Sequence, residues 1–319
     1  MNTKKIEIYE ALVYTVFATA LLCIIYYLFF FDPVNYTVVL ITEDRWAENA
    51  TVVSYAITGI LLLLLSCRQG PGLRRVVWAI IGMSALVIAC DEISWGQRII
   101  GIGAPSFIKE NNLQGELTLH NLESFSNINS MSHKIAGYLI LLWSLFSVVI
   151  SFRLKRQQEM LMNIGIPIIH WKLLPIFILT SFFLIFYPTV KADEISEFLL
   201  GLAGMIWAVD LFLGNYYEKR PQGLAVLSVM GGAFLVVTLT SAVLVQICPG
   251  PIRGRINSMA SSNGYPQFGM YRQAQVLYDY IYEHPQYIKP DTMLNHGKML
   301  LEAGKESEAV LILTQAEKK

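Results

Sequence analysis

Long apolar runs separated by short polar stretches make up most of the first 250 residues of the chain. A helix needs about 20 apolar residues, at roughly 1.5 Å per residue, to cross the ~30 Å hydrocarbon core of a bilayer. Seven runs have about this length, and each predicts a membrane-spanning helix. They lie near residues 10–31, 49–66, 75–96, 135–152, 172–190, 197–215 and 223–247.

The end of the chain has a different pattern. From Tyr271 onward, helical periodicity alternates with turn signals, and no long apolar run is present. The sequence therefore predicts an all-α protein with two domains. Residues 1–250 form a seven-helix transmembrane domain with an interfacial flap at 99–133, and residues 251–319 form a small helical tail.

Composition agrees with a membrane protein. Hydrophobic residues make up 54% of the chain and charged residues only 15%, too apolar a balance for a soluble domain of this length. The 24 basic and 24 acidic side chains cancel, so net charge does not indicate nucleic-acid binding. The four cysteines lie far apart, and they predict neither a disulfide framework nor a cysteine-rich zinc site.

The distribution of basic residues predicts the orientation, because lysine and arginine collect in cytoplasmic loops. With the N-terminus inside, seven crossings place the tail outside, which is the periplasm if the protein lies in a bacterial inner membrane. The cytoplasmic side then has Lys4, Lys5, Arg68, Arg74, Arg75, Arg153, Lys155, Arg156, Lys172, Lys219 and Arg220, against Arg45, Arg98, Lys109, Lys134 and Lys191 outside, 11 to 5.

The stretch "ALVIACDEISWGQRI" ends an apolar run on two adjacent carboxylates, Asp91 and Glu92. They come about 15 residues after the inner end of the span, roughly 23 Å up the ~30 Å slab. A bare carboxylate at this depth costs several kcal/mol on most scales. In a continuous helix Asp91, Trp95 and Arg98 would form one stripe, and Glu92 would point about 100° away, so we expect only one acid to face a shared centre.

Two other predicted spans begin with acids at the same level of the membrane. Glu48 lies in "TEDRWAENATVV", and Glu194 and Glu197 lie three residues apart, on one helix face, in "KADEISEFLLG". Gly201 and Gly204 follow and favour close approach of a neighbouring helix. We therefore expect these three spans to be neighbours and their acids to converge beneath the outer interface.

His120, in the flap motif "TLHNLE", adds an imidazole to these carboxylates. Mixed oxygen and imidazole ligation suits Zn, Mn or Fe better than Mg alone, so the sequence predicts a divalent metal site. Its catalytic residues would be Glu92, Glu197 and His120. The full predicted ligand set is Glu48, Asp91, Glu92, His120, Glu194 and Glu197.

Structural roles are the alternative for these acids. Glu43, Asp44 and Asp193 lie where helix caps are favoured by the helix dipole. Arg98 could neutralise one of the two acids at 91 and 92 while Gln97 or Ser94 binds the other. The cluster would then be a polar plug that holds the helices together.

Two sequence patterns resemble known families. The pair "DEISWGQRI" and "NNLQGELTLHNL" is similar to a motif pair found in multi-pass bacterial membrane proteins, over residues 40 to about 200. This resemblance implies an inner-membrane location and no particular chemistry.

The tail resembles tetratricopeptide repeats, whose period is about 34 residues. Gly269 and Ala274 recur 35 residues later, and His296 and Pro285 depart from the usual pattern. Because fewer than three repeats rarely fold alone, we expect the tail to pack on the membrane domain or on another protein. Further matching positions in the two units are Tyr278, "HPQY", Gly297, Gly304, Ala309, Leu313 and Ala316.

Two functions remain open from the sequence. One is a metal-dependent enzyme that acts on a lipid or lipid-linked substrate at the outer leaflet, with the flap closing the site. The other is a non-catalytic scaffold subunit that binds a membrane or periplasmic protein through residues 256–319. A transporter is disfavoured, because the middles of five of the predicted spans contain no ionisable residue.

Overall fold

The computed structural model describes residues 3–41, 46–97, 129–166, 171–189, 191–214 and 252–317, with a few single positions between these ranges. All regular structure in these ranges is helical. The helices are α1 (Thr3–Phe31), α2 (Trp46–Arg68), α3 (Leu73–Glu92), α4 (Asn129–Arg153), α5 (Lys155–Ile164), α6 (Leu174–Phe186), α7 (Ala192–Gly214), α8 (Ile252–Ala260), α9 (Tyr271–Glu283), α10 (Thr292–Glu302) and α11 (Glu306–Glu317).

Within the described part of the chain, four helical segments are long and apolar enough to cross a membrane. They are Leu12–Phe31, Trp46–Arg68, Leu73–Glu92 and Lys134–Arg153, of 20 to 23 residues each. At 1.5 Å per residue these lengths match the ~30 Å hydrocarbon core. The first four predicted spans are therefore confirmed as helices of spanning length.

The later predicted spans differ from the sequence expectation. The fifth, predicted at 172–190, is a shorter apolar helical stretch, Trp171–Phe186. It ends early because Tyr187 adopts a left-handed conformation (φ 48°) and Pro188 follows it. The sixth corresponds to α7, which begins before the predicted residue 197. The seventh, 223–247, lies outside the described residues.

Small residues bring helices into close contact in this apolar region. A Cβ atom on Gly137 of α4 would lie 2.8 Å from Leu184 Cβ of α6. Membrane helices associate through such close packing, because lipid tails are as apolar as the side chains they would replace. Any larger residue at position 137 would therefore push α4 and α6 apart.

The chain divides into two compact units. The first contains residues 1–20, 47–188 and 192–248, and the second contains residues 21–46, 189–191 and 249–319. The second unit thus joins the tail to the second half of α1, a combination that the sequence does not predict.

Aromatic packing holds the tail on the end of α1. The ring of Phe29 stacks on Tyr265, with centroids 5.1 Å apart, and meets the edge of Tyr36 at 5.2 Å. The amide of Gln273 donates a hydrogen bond of 3.0 Å to the Phe30 carbonyl. Phe29, Tyr36 and Tyr265 are all fully buried. The tail therefore packs on the C-terminal end of a candidate membrane span.

A buried asparagine ties α8 to the turn before α10. The amide of Asn257 donates to the Tyr287 and Arg253 carbonyls, at 2.8 Å each. Its oxygen accepts a 2.7 Å bond from the Thr292 hydroxyl, which in turn accepts from the Lys289 N–H. Every polar atom of the Asn257 side chain is therefore matched.

His296 belongs to a second network in the tail. Its Nε2 lies 3.0 Å from Gln275 Oε1, and its Nδ1 lies 3.0 Å from the Tyr282 hydroxyl. Gln275 also donates to Asp279, at 2.8 Å, and this bond orients its amide. A neutral imidazole with its proton on Nε2 satisfies both contacts. The ring stacks on Tyr278, with centroids 4.2 Å apart.

The two last helices pack closely at a glycine. A Cβ atom on Gly297 of α10 would lie 2.5 Å from Leu313 Cγ of α11, so no side chain fits there. Ala274, Tyr278 and Ala309, which the repeat pattern singles out, are fully buried. These contacts describe helix packing in the tail, and its relation to tetratricopeptide repeats stays a prediction.

Candidate functional site

The α3 helix ends abruptly at its acidic pair. Ile93 follows Glu92 outside the helix, and Ser94 and Trp95 adopt left-handed conformations, with φ of 48° and 53°. Left-handed backbone costs non-glycine residues roughly 1–2 kcal/mol each, so the turn is strained. The prediction of one continuous stripe through Asp91, Trp95 and Arg98 is wrong at this point, because the helix ends before Trp95. Arg98 lies outside the described residues.

Trp95 nevertheless contacts Asp91. The indole Nε1 donates a 3.2 Å hydrogen bond to Asp91 Oδ1. Asp91 is buried, with 8% of its surface exposed, whereas Trp95 is 44% exposed. Asp91 and Trp95 thus remain neighbours, as their spacing of four residues predicts, although the helix ends between them.

Glu92 lies where acids from three helices meet. The carboxylates that act on it electrostatically are, in decreasing order, those of Glu197, Glu48, Glu194 and Asp91. Glu48 comes from the first turn of α2, and Glu194 and Glu197 come from the beginning of α7. Acids from α2 and α7 therefore act on Glu92 of α3, while their predicted convergence within ligand distance of one metal stays a prediction. Of the adjacent pair, Glu92 interacts with acids of the other two helices, and Asp91 bonds to Trp95.

Close helix packing explains the convergence. A Cβ atom on Gly59 of α2 would lie 2.8 Å from the Gly82 carbonyl oxygen of α3. One turn earlier on α2, the Tyr55 ring would lie 3.1 Å from a Cβ atom on Gly201 of α7. Gly204 faces Thr58 in the same way, at 3.6 Å. The predicted role of Gly201 and Gly204 in helix approach is therefore confirmed, and α2 is the common neighbour of α3 and α7.

Tyr55 is a residue of this site that the sequence reading missed. Glu197 and Glu92 are the charged groups that act on its phenol. The signal was present, since Tyr55 follows Glu48 by seven residues, two helical turns along the same face. It was hidden because an aromatic residue within a span is usually a packing residue.

Asp193 has a local structural role. Its Oδ1 accepts a 2.7 Å hydrogen bond from the Tyr187 hydroxyl, and its carbonyl accepts one from the Ser196 hydroxyl, also at 2.7 Å. These bonds link the end of α6 to the first turn of α7. The helix-cap alternative for Asp193 is consistent with this geometry. Glu43 and Asp44 lie outside the described residues.

The predicted metal site is not found among the described residues, and its histidine lies outside them. Among the described residues, no group of three or more histidine, cysteine, aspartate or glutamate side chains has the arrangement of a metal site. His120 and nearly all of the flap at 99–133 lie outside those residues, although 129–133 form the start of α4. The four carboxylates of Glu48, Asp91, Glu194 and Glu197 each make a further interaction, so none of them is without a partner.

Comparison with protein-family models, curated proteins and solved structures finds no match to the chain. The chemistry of the acidic cluster, defined as Glu48, Asp91, Glu92, Glu194 and Glu197, is therefore argued from its residues.

Proposed function

We propose that the protein is a multi-pass protein of a bacterial inner membrane, with seven spans, a cytoplasmic N-terminus and a periplasmic tail. Three observations support this topology. Four described helices have spanning length, and basic residues collect on one side. The tail packs on the C-terminal end of α1, so both lie on the same side of the membrane, which requires an even number of crossings between them.

Reporter fusions test this topology. Alkaline phosphatase fused after residue 319 should be active, because it folds only outside the cytoplasm, and green fluorescent protein fused there should not fluoresce. A fusion after residue 70, between α2 and α3, serves as the control and should give the opposite pair of results. Fluorescence at the C-terminus would reject the proposed orientation.

For the activity, the proposal is a metal-dependent enzyme that acts on a lipid or lipid-linked substrate at the outer leaflet. The observation that supports it is the gathering of four carboxylates around Glu92 at the end of an apolar helix. Like charges in a poorly solvated site repel, and a divalent cation offsets that repulsion. A Zn, Mn or Fe ion bound there would supply an activated water at neutral pH.

Residue roles follow from position. Glu48, Asp91, Glu194 and His120 would provide ligands, with His120 brought in by the flap. Glu92, and Glu197 as the carboxylate that acts on it most strongly, would accept and return the proton of the attacking water. Tyr55, on which both glutamates act, would donate a hydrogen bond to a developing negative charge.

Metal analysis of the purified protein tests this proposal. Wild-type protein should contain about one Zn, Mn or Fe per chain, and E92Q/E197Q should lose it while remaining folded. The matched control E283Q/E302Q removes two exposed tail carboxylates and should retain the metal. A wild-type protein without stoichiometric metal after purification in metal-supplemented, chelator-free buffer would reject the enzyme proposal.

A scaffold function is the second candidate, and the surface of the tail favours it. Leu301 on α10 and Val310 and Leu311 on α11 are 46%, 61% and 61% exposed, an apolar surface suited to a protein partner. Under this proposal the acidic cluster is a polar plug.

Deleting residues 256–319 should abolish association with the partner and leave any bound metal in place. Loss of metal on deletion would contradict the separation of the two roles.

A further inference from the structure

Basic residues gather at the end of α2 and α3 that is remote from the acidic cluster. The turn between these helices has Arg68, Arg74 and Arg75, and the junction of α4 and α5 has three more cations. Across residues 66–80 and 150–166 a single carboxylate, Glu159, opposes them. We call the six cations the basic collar: Arg68, Arg74, Arg75, Arg153, Lys155 and Arg156.

Specific contacts bring the two segments together. The buried indole of Trp78, in α3, donates a 3.0 Å hydrogen bond to the Gly165 carbonyl at the end of α5. A Cβ atom on Gly165 would lie 3.0 Å from Arg74 Cα, so the end of α5 lies directly on the first turn of α3. The Ser66 hydroxyl donates to the Arg75 carbonyl at 2.8 Å and closes the turn between α2 and α3. The turn between α2 and α3 therefore lies against the C-terminal end of α5, the helix whose beginning has the other three cations.

Aromatic rings hold two of its arginines in place. The guanidinium of Arg74 lies over the Trp78 ring at 4.3 Å, and that of Arg68 lies over Phe212 at 4.6 Å. The Nε of Arg74 is buried and has no hydrogen-bond partner in the part of the chain that the structure describes. Stacking fixes the plane of the guanidinium, and a planar guanidinium held in this way is suited to bidentate binding of a phosphate.

Exposed apolar side chains next to the collar indicate its surroundings. Phe152 and Met160 flank the basic residues of the α4–α5 junction and are 60% and 55% exposed. Arg75 and Arg156 are exposed beside them. Basic and apolar groups side by side, at the ends of spanning helices, match the level where lipid headgroups meet hydrocarbon.

We propose that the basic collar binds the headgroup phosphate of anionic phospholipids, with Arg74 as the residue that contacts the phosphate most directly. The lipid phosphate is attracted by the positive charge of the collar, and the acyl chains cover the exposed apolar side chains. The proposal is independent of the chemistry at the acidic cluster.

Lipid titration of the full-length protein in neutral detergent tests the proposal, with the thermal unfolding midpoint as the readout. Dioleoylphosphatidylglycerol should raise the midpoint in a saturable way, whereas dioleoylphosphatidylcholine and inorganic phosphate should not. R75Q/R156Q, which changes only exposed residues, should bind the anionic lipid roughly thirtyfold more weakly, at about fivefold per arginine. R74K keeps the charge but removes Nε, and it should also weaken binding.

The matched control R272Q/K298Q removes two exposed charges from the tail and should bind as the wild type does. Equal weakening in the control would show that only net charge matters and would overturn the proposed site. Equal stabilisation by the two lipids would overturn recognition of anionic headgroups. Equal stabilisation by inorganic phosphate would identify a soluble anion as the occupant and would overturn the lipid assignment.

Discussion

The acidic cluster and the tail both place polar side chains in buried or half-buried positions, but these side chains have different partners. In the tail, each polar atom of Asn257 has a complementary partner, and the imidazole of His296 has one on each nitrogen. At the cluster, the charged groups of the described residues that act on Glu92 are carboxylates. Complementary partners stabilise a fold, whereas gathered like charges reduce its stability. The first pattern is typical of structure, and the second is typical of a binding site.

Phe29→Ala should have the largest effect, because it removes the ring on which the tail packs. Truncating a fully buried phenylalanine costs about 3–5 kcal/mol. We expect hydrogen exchange of residues 252–283 to accelerate strongly. The control is Phe31→Ala, two residues along the same helix, where the ring is 77% exposed. Equal protection in both variants would mean that the tail does not depend on α1.

Asn257→Ala should destabilise the tail by about 1–3 kcal/mol, since it leaves buried groups of the 287–292 turn unmatched. Hydrogen exchange of α8 and α10 measures the change. Asn295→Ala removes only an exposed bond to Asp291 and should cost much less. If both variants lost the same amount of stability, the buried hydrogen bonds of Asn257 would contribute no more than an exposed bond does.

Glu92→Gln should increase stability, whereas the two substitutions above decrease it. This contrast tests directly whether the acidic cluster and the tail differ in how their polar groups are paired. In protein treated with a chelator at pH 8, removing one of the gathered charges should stabilise the first unit by about 1 kcal/mol, the size of a screened Coulomb term. Thermal unfolding with and without EDTA measures it. Glu283→Gln, in the tail, serves as the control. Destabilisation by Glu92→Gln without metal would favour the polar-plug alternative.

The tail should also lose stability in acid. Burial lowers the pKa of His296 below its ordinary value, although Asp279 and Glu308 act in the opposite direction and Lys305 adds to the lowering. The unfolded chain therefore takes up a proton at higher pH than the folded tail. The contribution of His296 to the stability of the tail is therefore fully present above the unfolded pKa of about 6.5. It is lost as the pH falls from that value through the lower pKa of the folded tail. Hydrogen exchange at pH 7.5 and 5.0, corrected for intrinsic rates, should show this, and His296→Leu should flatten the dependence.

Parts of the fold were predictable because one-dimensional patterns determine them. An apolar run of 20 residues in water has few alternatives to a membrane helix, so the spans at α1, α2, α3 and α4 follow directly from composition. The small residues at Gly201 and Gly204 likewise indicated where α7 approaches a neighbour. The shortened α6 was not predicted, because apolar residues continue past the backbone reversal at Tyr187.

The candidate site was predictable to the level of its helices but not to the level of its contacts. Depth in the membrane follows from residue counts, so Glu48, Glu92, Glu194 and Glu197 were expected at one level. The left-handed turn at Ser94 and Trp95 was not, because neither residue type favours it and only packing can stabilise it. The bond from Trp95 to Asp91 and the position of Tyr55 depend on that turn and on which face of α2 meets α7.

By itself, the sequence determined the helical class, the apolar spans and the level of the acids, because these depend on hydrophobicity and on the constant rise of a helix. Only the tertiary structure decided that Phe29 joins the tail to α1, and that acids of α2 and α7 act on Glu92. Both depend on side-chain direction and on contacts between residues far apart in the chain. Such contacts leave no periodic pattern in the sequence, since they form only when the helices pack.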